Sequence, residues 1–314
     1  MDKIDAAQTE WRTYWQGRHA GRTGEVFAGE GVEKSEELSD FWADTFSQPQ
    51  SGIVLDLACG AGSALRHAAG SGASALLGLD ISRDALLSAG AKIPGFQGVV
   101  GSADALPFAD GAISHVISQF GFEYSDRSHA SAEVARVIGA EGAFTAIVHL
   151  KSGAIAAECE QHLANVETIK ASQYIDAVEA LYKSVFAFDR APSEAARQQV
   201  DEAGNAFQTA QGHMAPVIKL SGFARQLHDG ARQLFERRKA YLLEDLLQWL
   251  DQMRAEMEAY RGRMNGMLSA AIDEQEARQI LSMIAAGGTY ELDKFHLAGK
   301  PAAWMLSAQR KLKA

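Results

Sequence analysis

The apolar positions of the chain fall into two regimes. Between residues 52 and 150, short apolar runs (53–58, 75–80, 95–102, 112–120 and 142–150) are separated by stretches with helical spacing. These stretches predict a small-residue helix from Gly62, a helix that Ser82 can cap, and another around 128–138. Strands apolar on both faces and joined through helices form a parallel sheet covered on both sides, so the pattern predicts a doubly wound α/β core. The alternation then stops. Leu163, Val166, Tyr174, Val178, Leu181, Val185 and Phe188 recur at helical spacing until Ala191-Pro192. A more polar helix is expected over 193–210, and beyond Gly222 a third stretch carries Phe235, Leu242, Leu246, Trp249, Met253, Met257 and Tyr260. The α/β pattern resumes at Asp273, which with Glu276 makes a capping-box signature for a helix that Gly287-Gly288 ends. Residues 289–297 and 302–311 then read as two strands joined at "AGKP". A parallel sheet that closes with a hairpin holds an antiparallel strand near one edge.

Composition narrows the partners. A formal net charge of -10 and a pI near 5.4 argue against a broad cationic surface, so a small molecule or a protein is expected as partner rather than a nucleic acid. The first residues, "MDKIDAAQTEWRTYW", lack the apolar core of a signal peptide, and no run approaches the ~18 apolar residues of a membrane span, so a cytoplasmic protein with no membrane partner is expected. Cys59 and Cys159 are too few for a disulfide framework or zinc cluster, and Cys59 reads as a small buried hydrophobe. Glu158 and His162 stand four apart without an evident third ligand, so no metal site is expected.

The chemistry concentrates in "VLDLACGAGSALRHA" (54–68). The first βα turn of a doubly wound sheet presents backbone N–H groups to a ligand, and two cofactor classes use such a turn: dinucleotides and S-adenosylmethionine. The third glycine of the dinucleotide pattern G-x-G-x-x-G is missing, because Leu65 stands there. Asp56, just ahead of Gly60 and Gly62, would repel a pyrophosphate but attract the ammonium and sulfonium of S-adenosylmethionine. Asp80, ending the second strand, is placed for ribose hydroxyls, a role both classes share.

"VLDLACGAGSA", "GLDIS" and "GSADALPFADGAISHVIS" resemble, in order and spacing, motifs of class I S-adenosylmethionine-dependent methyltransferases, particularly the small-molecule group related to quinone-biosynthesis methyltransferases. The resemblance implies a Rossmann-like methyltransferase sheet with an antiparallel last strand, and a cofactor that leaves as S-adenosylhomocysteine. It puts Asp56, Gly60 and Gly62 around the methionine moiety, Asp80 on the ribose, Ile81 against adenine, Asp104 on the adenine amino group with Ala103 beside it, and Ser118 and Gln119 at the methionine end. Ala58 stands where the family often has glycine, leaving less room for the ligand.

Acceptor groups are expected from the ends of strands four and five and from inserted segments. His149, Glu123 and Tyr124 are the candidate catalytic residues, since an imidazole at a strand end suits proton removal near neutrality. Tyr14, Trp15 and Phe122 are the candidate acceptor-binding aromatics, with Trp11 and the arginines Arg12, Arg18 and Arg22 nearby in sequence. Three parts are therefore expected: an N-terminal helical cap (1–50), an S-adenosylmethionine-binding core (51–153 and 270–314), and a helical insertion (154–269) serving as substrate lid or homodimer surface. The expected function is methyl transfer to a small molecule. Its alternatives are methylation of a protein or RNA, or a non-catalytic cofactor-binding subunit.

Overall fold

The computed structural model describes residues 36–311. Most of the expected N-terminal cap, with Trp11, Tyr14 and Trp15, lies outside them. Contacts divide the chain into two units, one comprising the residues up to Cys159 and from Gly266 onward, the other Glu160–Asn265.

The described part of the first unit starts with helix α1 (Glu36–Thr45), which buries Leu38 and Trp42. Strands β1 (Ile53–Leu57), β2 (Ala75–Asp80), β3 (Phe96–Val100), β4 (Ile113–Gln119), β5 (Ile138–His149), β6 (Thr289–Leu297) and β7 (Lys300–Gln309) form one seven-stranded sheet in the order β3-β2-β1-β4-β5-β7-β6. Pairing is parallel from β3 through β5, while β7 runs antiparallel to both β5 and β6. The antiparallel strand thus lies inside the hairpin edge, as the expected closing hairpin requires. Its turn is shorter than "AGKP", because β7 already begins at Lys300.

Helices α2 (Arg83–Gly90), α3 (Arg127–Val137) and α9 (Glu274–Ala285) complete this unit. Their starts are set locally. Ser82 Oγ accepts the Ala85 N–H, Asp126 accepts those of Ser128 and His129, and Asp273 with Glu276 forms the full capping box. One expectation fails here: the helix predicted from Gly62 is only a 3-10 turn, Leu65–Ala68. A run of alanine, glycine and serine buries too little apolar surface to sustain a longer helix against the sheet. The core joins Leu55, Leu57, Val116, Phe144, Val148 and Trp304 with Ile280 and Ile284 of α9.

Helix α4 (Ala154–Ala171) leads into the second unit, which contains α5 (Tyr174–Arg190), α6 (Glu194–Ile218) and α7 (Gly222–Glu236), and α8 (Leu243–Ala270) leads out of it. The apolar run from Leu163 to Phe188 is two helices rather than one, because Gln173 adopts a left-handed backbone (φ 54°) and breaks it. Val166, Tyr174, Tyr182, Leu227, Leu246, Leu250 and Met253 form a separate core, in which the Tyr182 hydroxyl donates to the Ala231 carbonyl at 2.6 Å. No helix among the described residues is long and apolar enough to cross a membrane.

A buried histidine at the start of β4 sets an acid limit on the fold. His115 is 7% exposed, and its ring nitrogens meet Gln50 Oε1 at 3.3 Å and Thr145 Oγ1 at 3.0 Å, which a neutral imidazole satisfies with one donor and one acceptor. Burial pushes it down to about 4. Its folded value lies below the unfolded one, so its contribution is fully present above about pH 6.5 and is lost as the pH falls towards 4. The loss approaches ~3 kcal/mol for a shift of this size. Denaturant unfolding from pH 7 to pH 4 should show this limb, and His115→Gln should flatten it; equal slopes for both proteins would remove His115 as its cause.

Candidate active site

The strand order reverses between β1 and β4, so the carboxyl ends of these strands border the crevice where doubly wound sheets bind ligands. The glycine turn rises from β1. Gly60 (φ 53°) and Gly62 (φ 78°) take left-handed conformations, and a Cβ on Gly62 would sit 2.4 Å from Ile93 Cδ1. Gly62 thus lets this backbone pack closely on Ala89 of α2 and on Ile93 beyond it. The turn is tied to β2 by Asp80, whose carboxylate accepts the Gly60 N–H at 2.9 Å and the Ser82 N–H at 2.8 Å. Burial raises the Asp80 carboxyl, while the N–H groups of Ser82, Gly60 and Ile81 hold it back. Each of its oxygens keeps a second lone pair for a ligand hydroxyl.

Asp56 is 2% exposed. Burial first, and then the charge of Asp80, push its carboxyl well above the usual carboxylate range, against a backbone hydrogen bond from Leu65. Its Oδ1 has no hydrogen-bond partner among the described residues, and neither does Oδ1 of Asp104. The other Asp104 oxygen accepts from Ser102 Oγ at 3.0 Å, Ala103 beside it is buried, and Ile81 is half-buried. The crevice is therefore rich in buried acceptors and short of donors. It fits a ligand that brings a cationic amine and a neutral amino group. Cys59 lies next to these carboxylates; burial, Asp56 and Asp80 all push its thiol up, so it stays a neutral thiol.

Across the reversal point, two non-glycine residues sit in the left-handed region, Ala58 (φ 52°) and Phe120 (φ 51°). Each costs roughly 1 kcal/mol or more, a strain that concentrates at functional sites. A Cβ on Gly121 would lie 2.6 Å from that of Ala58, so the Ala58 methyl packs against Gly121. Ser118 donates to the Leu57 carbonyl at 2.8 Å and accepts the Phe122 N–H at 3.0 Å, which commits its hydroxyl to holding β4 beside β1. Gln119 accepts from Trp42 Nε1 at 2.6 Å and donates to Ser63 Oγ at 3.3 Å, linking α1 to the glycine turn.

Glu123, Tyr124 and His149 come together at the ends of β4 and β5. Glu123 Oε1 accepts both the backbone N–H of His149, at 2.9 Å, and its ring Nδ1–H, at 2.6 Å. The His149 carbonyl accepts the Ile272 N–H at 2.9 Å, where Ile272 continues the edge of β5 beyond β4. Rings of Phe120 and Tyr124 stand 4.7 and 5.9 Å from the imidazole. Burial, then Glu123 and Cys159, push the Tyr124 hydroxyl well above its ordinary value, so it remains a neutral phenol.

Phe122 corrects the expectation of an acceptor contact. It is fully buried and packs edge-on against Phe144 at 5.4 Å, because the 3-10 turn Phe122–Tyr124 rotates it into the core. Phe120, which with Phe122 offers flat apolar surface after the fourth strand, is the phenylalanine beside His149. Trp42, Ser63 and Gly121 are not candidates on sequence grounds, and of these only the glycine directly after a strand carries a local signal. Tyr14 and Trp15 lie outside the described residues.

Residues 54–142 match the family model described as a methyltransferase domain. No curated protein matches the chain. Among solved structures, the chain is similar to a protein described as a methyltransferase in complex with the Trm112 methyltransferase activator of Haloferax volcanii (26% identity, TM-score 0.35, covering 48% of this chain and 62% of that one). It is also similar to proteins described as S-adenosylmethionine-dependent methyltransferases from Listeria monocytogenes (24% identity, TM-score 0.32, covering 37% and 55%) and Mesorhizobium loti (27% identity, TM-score 0.30, covering 32% and 47%). The chain thus spans less than two thirds of each of these proteins. Residues 54–142 match a methyltransferase domain, and they supply the first four strands and the start of the fifth in the seven-stranded sheet with its antiparallel strand beside the edge.

Proposed function

We propose that this chain transfers the methyl group of S-adenosylmethionine to a small-molecule acceptor. The observation that carries the reading is the pair of buried, unpartnered carboxylate oxygens on Asp56 and Asp104 within the matched domain. In this reading Asp56 holds the ammonium of the methionine moiety beside Gly60 and Gly62, Asp80 takes the ribose hydroxyls, Ile81 lies against adenine, and Asp104, next to Ala103, accepts from the adenine amino group. Ser118 and Gln119 act by holding the β4 end and the glycine turn in place. The cofactor supplies an already activated methyl group, so alignment of the acceptor provides much of the rate. In this reading His149, Glu123 and Tyr124 serve the acceptor, and Tyr14 and Trp15 remain the acceptor-binding aromatics expected from the sequence.

Calorimetry should show binding of S-adenosylmethionine and S-adenosylhomocysteine but not NAD. Asp104→Asn should weaken S-adenosylhomocysteine roughly tenfold, the size expected for one hydrogen bond to a charged group, with the melting temperature nearly unchanged. Incubation of the protein with methyl-labelled cofactor and a cell extract should label the low-molecular-weight fraction. Label confined to protein or RNA would overturn the small-molecule reading, and NAD binding without either methionine derivative would overturn the cofactor.

A further inference from the structure

We propose that Glu133 and Arg136, one turn apart on α3, are positioning residues for the adenine end of the cofactor: they clamp the loop that follows β3 and so hold Asp104 against the adenine amino group. This role rests on the methyltransferase reading above, and it adds two residues that act on the ligand only through a third. Residues 101–112 join β3 to β4 without a helix or strand of their own, so their backbone groups need partners from elsewhere. The pair on α3 supplies them. Glu133 Oε2 accepts the Leu106 N–H at 2.6 Å. The Arg136 guanidinium donates to the Leu106 carbonyl at 2.9 Å, the Phe108 carbonyl at 2.7 Å and Asp110 Oδ1 at 2.9 Å.

The pair is itself held rigidly. Arg136 Nε and Nη2 donate to the two oxygens of Glu133 at 2.8 Å each, so that all five N–H groups of the guanidinium are engaged. A fork gripped on both sides has one orientation. Arg136 keeps the Glu133 carboxyl below its usual range, and the pair stays charged. The Arg136 carbonyl also accepts the Gly111 N–H at 3.0 Å, which ties the far end of the loop to the same helix. Among the described residues, the side-chain bonds of the pair run to residues 106, 108 and 110 and to each other, and none runs to the glycine turn or to Asp80.

Asp104 stands two residues before the gripped Leu106. Its direction is set locally: Ser102 Oγ donates to Asp104 Oδ2 at 3.0 Å and accepts the Asp104 N–H at 3.3 Å, and the Ser102 carbonyl accepts the Ala105 N–H at 3.2 Å. That turn orients the carboxylate, while β3 on one side and the clamp on the other decide where the turn stands. The oxygen left over, Oδ1, is buried and has no partner among the described residues. Hydrogen bonds weaken steeply beyond ~3.2 Å, so a loop displaced by about 1 Å no longer reaches the amino group. The clamp therefore governs that one bond, and the methionine and ribose ends of the ligand are independent of it.

The test is calorimetry on the full chain with S-adenosylhomocysteine and with its purine analogue, which lacks the 6-amino group. The wild type should prefer S-adenosylhomocysteine roughly tenfold, the share of one hydrogen bond to a charged group. Arg136→Met keeps the apolar stem and removes the fork. It should erase most of that preference by weakening S-adenosylhomocysteine, with the analogue bound within about twofold of its wild-type affinity. Arg136→Lys keeps the charge, but one ammonium cannot span all of these acceptors, so the same selective loss should follow in smaller measure. In an Asp104→Ala background, Arg136→Met should cost no further affinity, because the bond it positions is already gone. A role confined to stability would lower the melting temperature, weaken both ligands equally or neither, and add to Asp104→Ala; each of these results overturns the proposal. Full preference in folded Arg136→Lys overturns it as well, and that variant decides the matter if Arg136→Met does not fold. Equal wild-type affinity for the two ligands would remove Asp104 from the adenine and the clamp with it, whereas binding of neither would remove the methyltransferase reading itself.

Discussion

Asp56→Asn should leave the protein folded, raise its melting temperature in the free state, and weaken S-adenosylhomocysteine by about 30- to 1000-fold. The two effects have one cause. Asp56 is a buried carboxylate with an unpartnered oxygen, facing a second buried carboxylate at Asp80. In the free protein burial and Asp80 disfavour its ionised form, so a neutral isostere relieves the fold by something on the order of 1 kcal/mol. In the complex that same charge meets an ammonium, and removing one partner of a buried, charge-assisted pair costs about 2–5 kcal/mol. Thermal unfolding and calorimetry on the same samples decide it. A variant that loses stability, or that binds as tightly as the wild type, would remove Asp56 from the cofactor site.

The sign of the pH dependence follows from the same residue. The Asp56 carboxyl is raised in the folded state, so it favours folding in its protonated form, and that contribution is lost as the pH rises through its folded value. A cationic ligand requires the ionised form. Affinity for S-adenosylhomocysteine should therefore fall as the pH is lowered into the raised carboxyl range, with a proton released on binding. Asp56→Asn should bind weakly at every pH without that slope.

Fold and site were legible in the sequence to different depths. Signals that act within a few residues were clear: the capping box of Asp273 and Glu276, the Ser82 cap, and the apolar runs that became β1, β2 and β4. Asp56 and Asp80 were readable because the strand pattern places them at carboxyl ends beside a glycine turn. Contacts across long stretches of chain left no local trace. Trp42 and Gln119 are 77 residues apart, and nothing in either neighbourhood announces their 2.6 Å bond. Phe122 was misread for a different reason. Strand alternation predicts its direction only while the strand lasts, and the left-handed Phe120 ends that register. Gln173 likewise breaks a helical run without proline or glycine, so periodicity alone passes over it.

The departure from the family pattern at Ala58 has a structural counterpart, and it yields the second large expected effect. Gly121→Ala should destabilise the protein by about 1–3 kcal/mol, the range for overpacking a tight interior, and weaken S-adenosylhomocysteine by roughly tenfold or more. Gly121 has a negative φ of -141°, so the backbone itself tolerates a side chain there. Space is the obstacle. The new methyl would stand 2.6 Å from the Ala58 Cβ, 3.1 Å from the Ala58 carbonyl oxygen and 3.2 Å from that of Leu57. None of these is the end of a flexible side chain, so relief comes by displacing the β1 end that carries the glycine turn. Ala58→Gly removes the closest contact and also the left-handed strain at φ 52°. Alone it should be nearly neutral, since relief of strain offsets the greater freedom of glycine in the unfolded chain. Combined with Gly121→Ala it should recover about 1–2 kcal/mol and much of the affinity, a coupling expected of residues in direct contact. Denaturant unfolding of the four proteins measures that coupling. Additive effects would mean that the two positions do not share the space, and that Ala58 is accommodated in some other way than by the glycine opposite it.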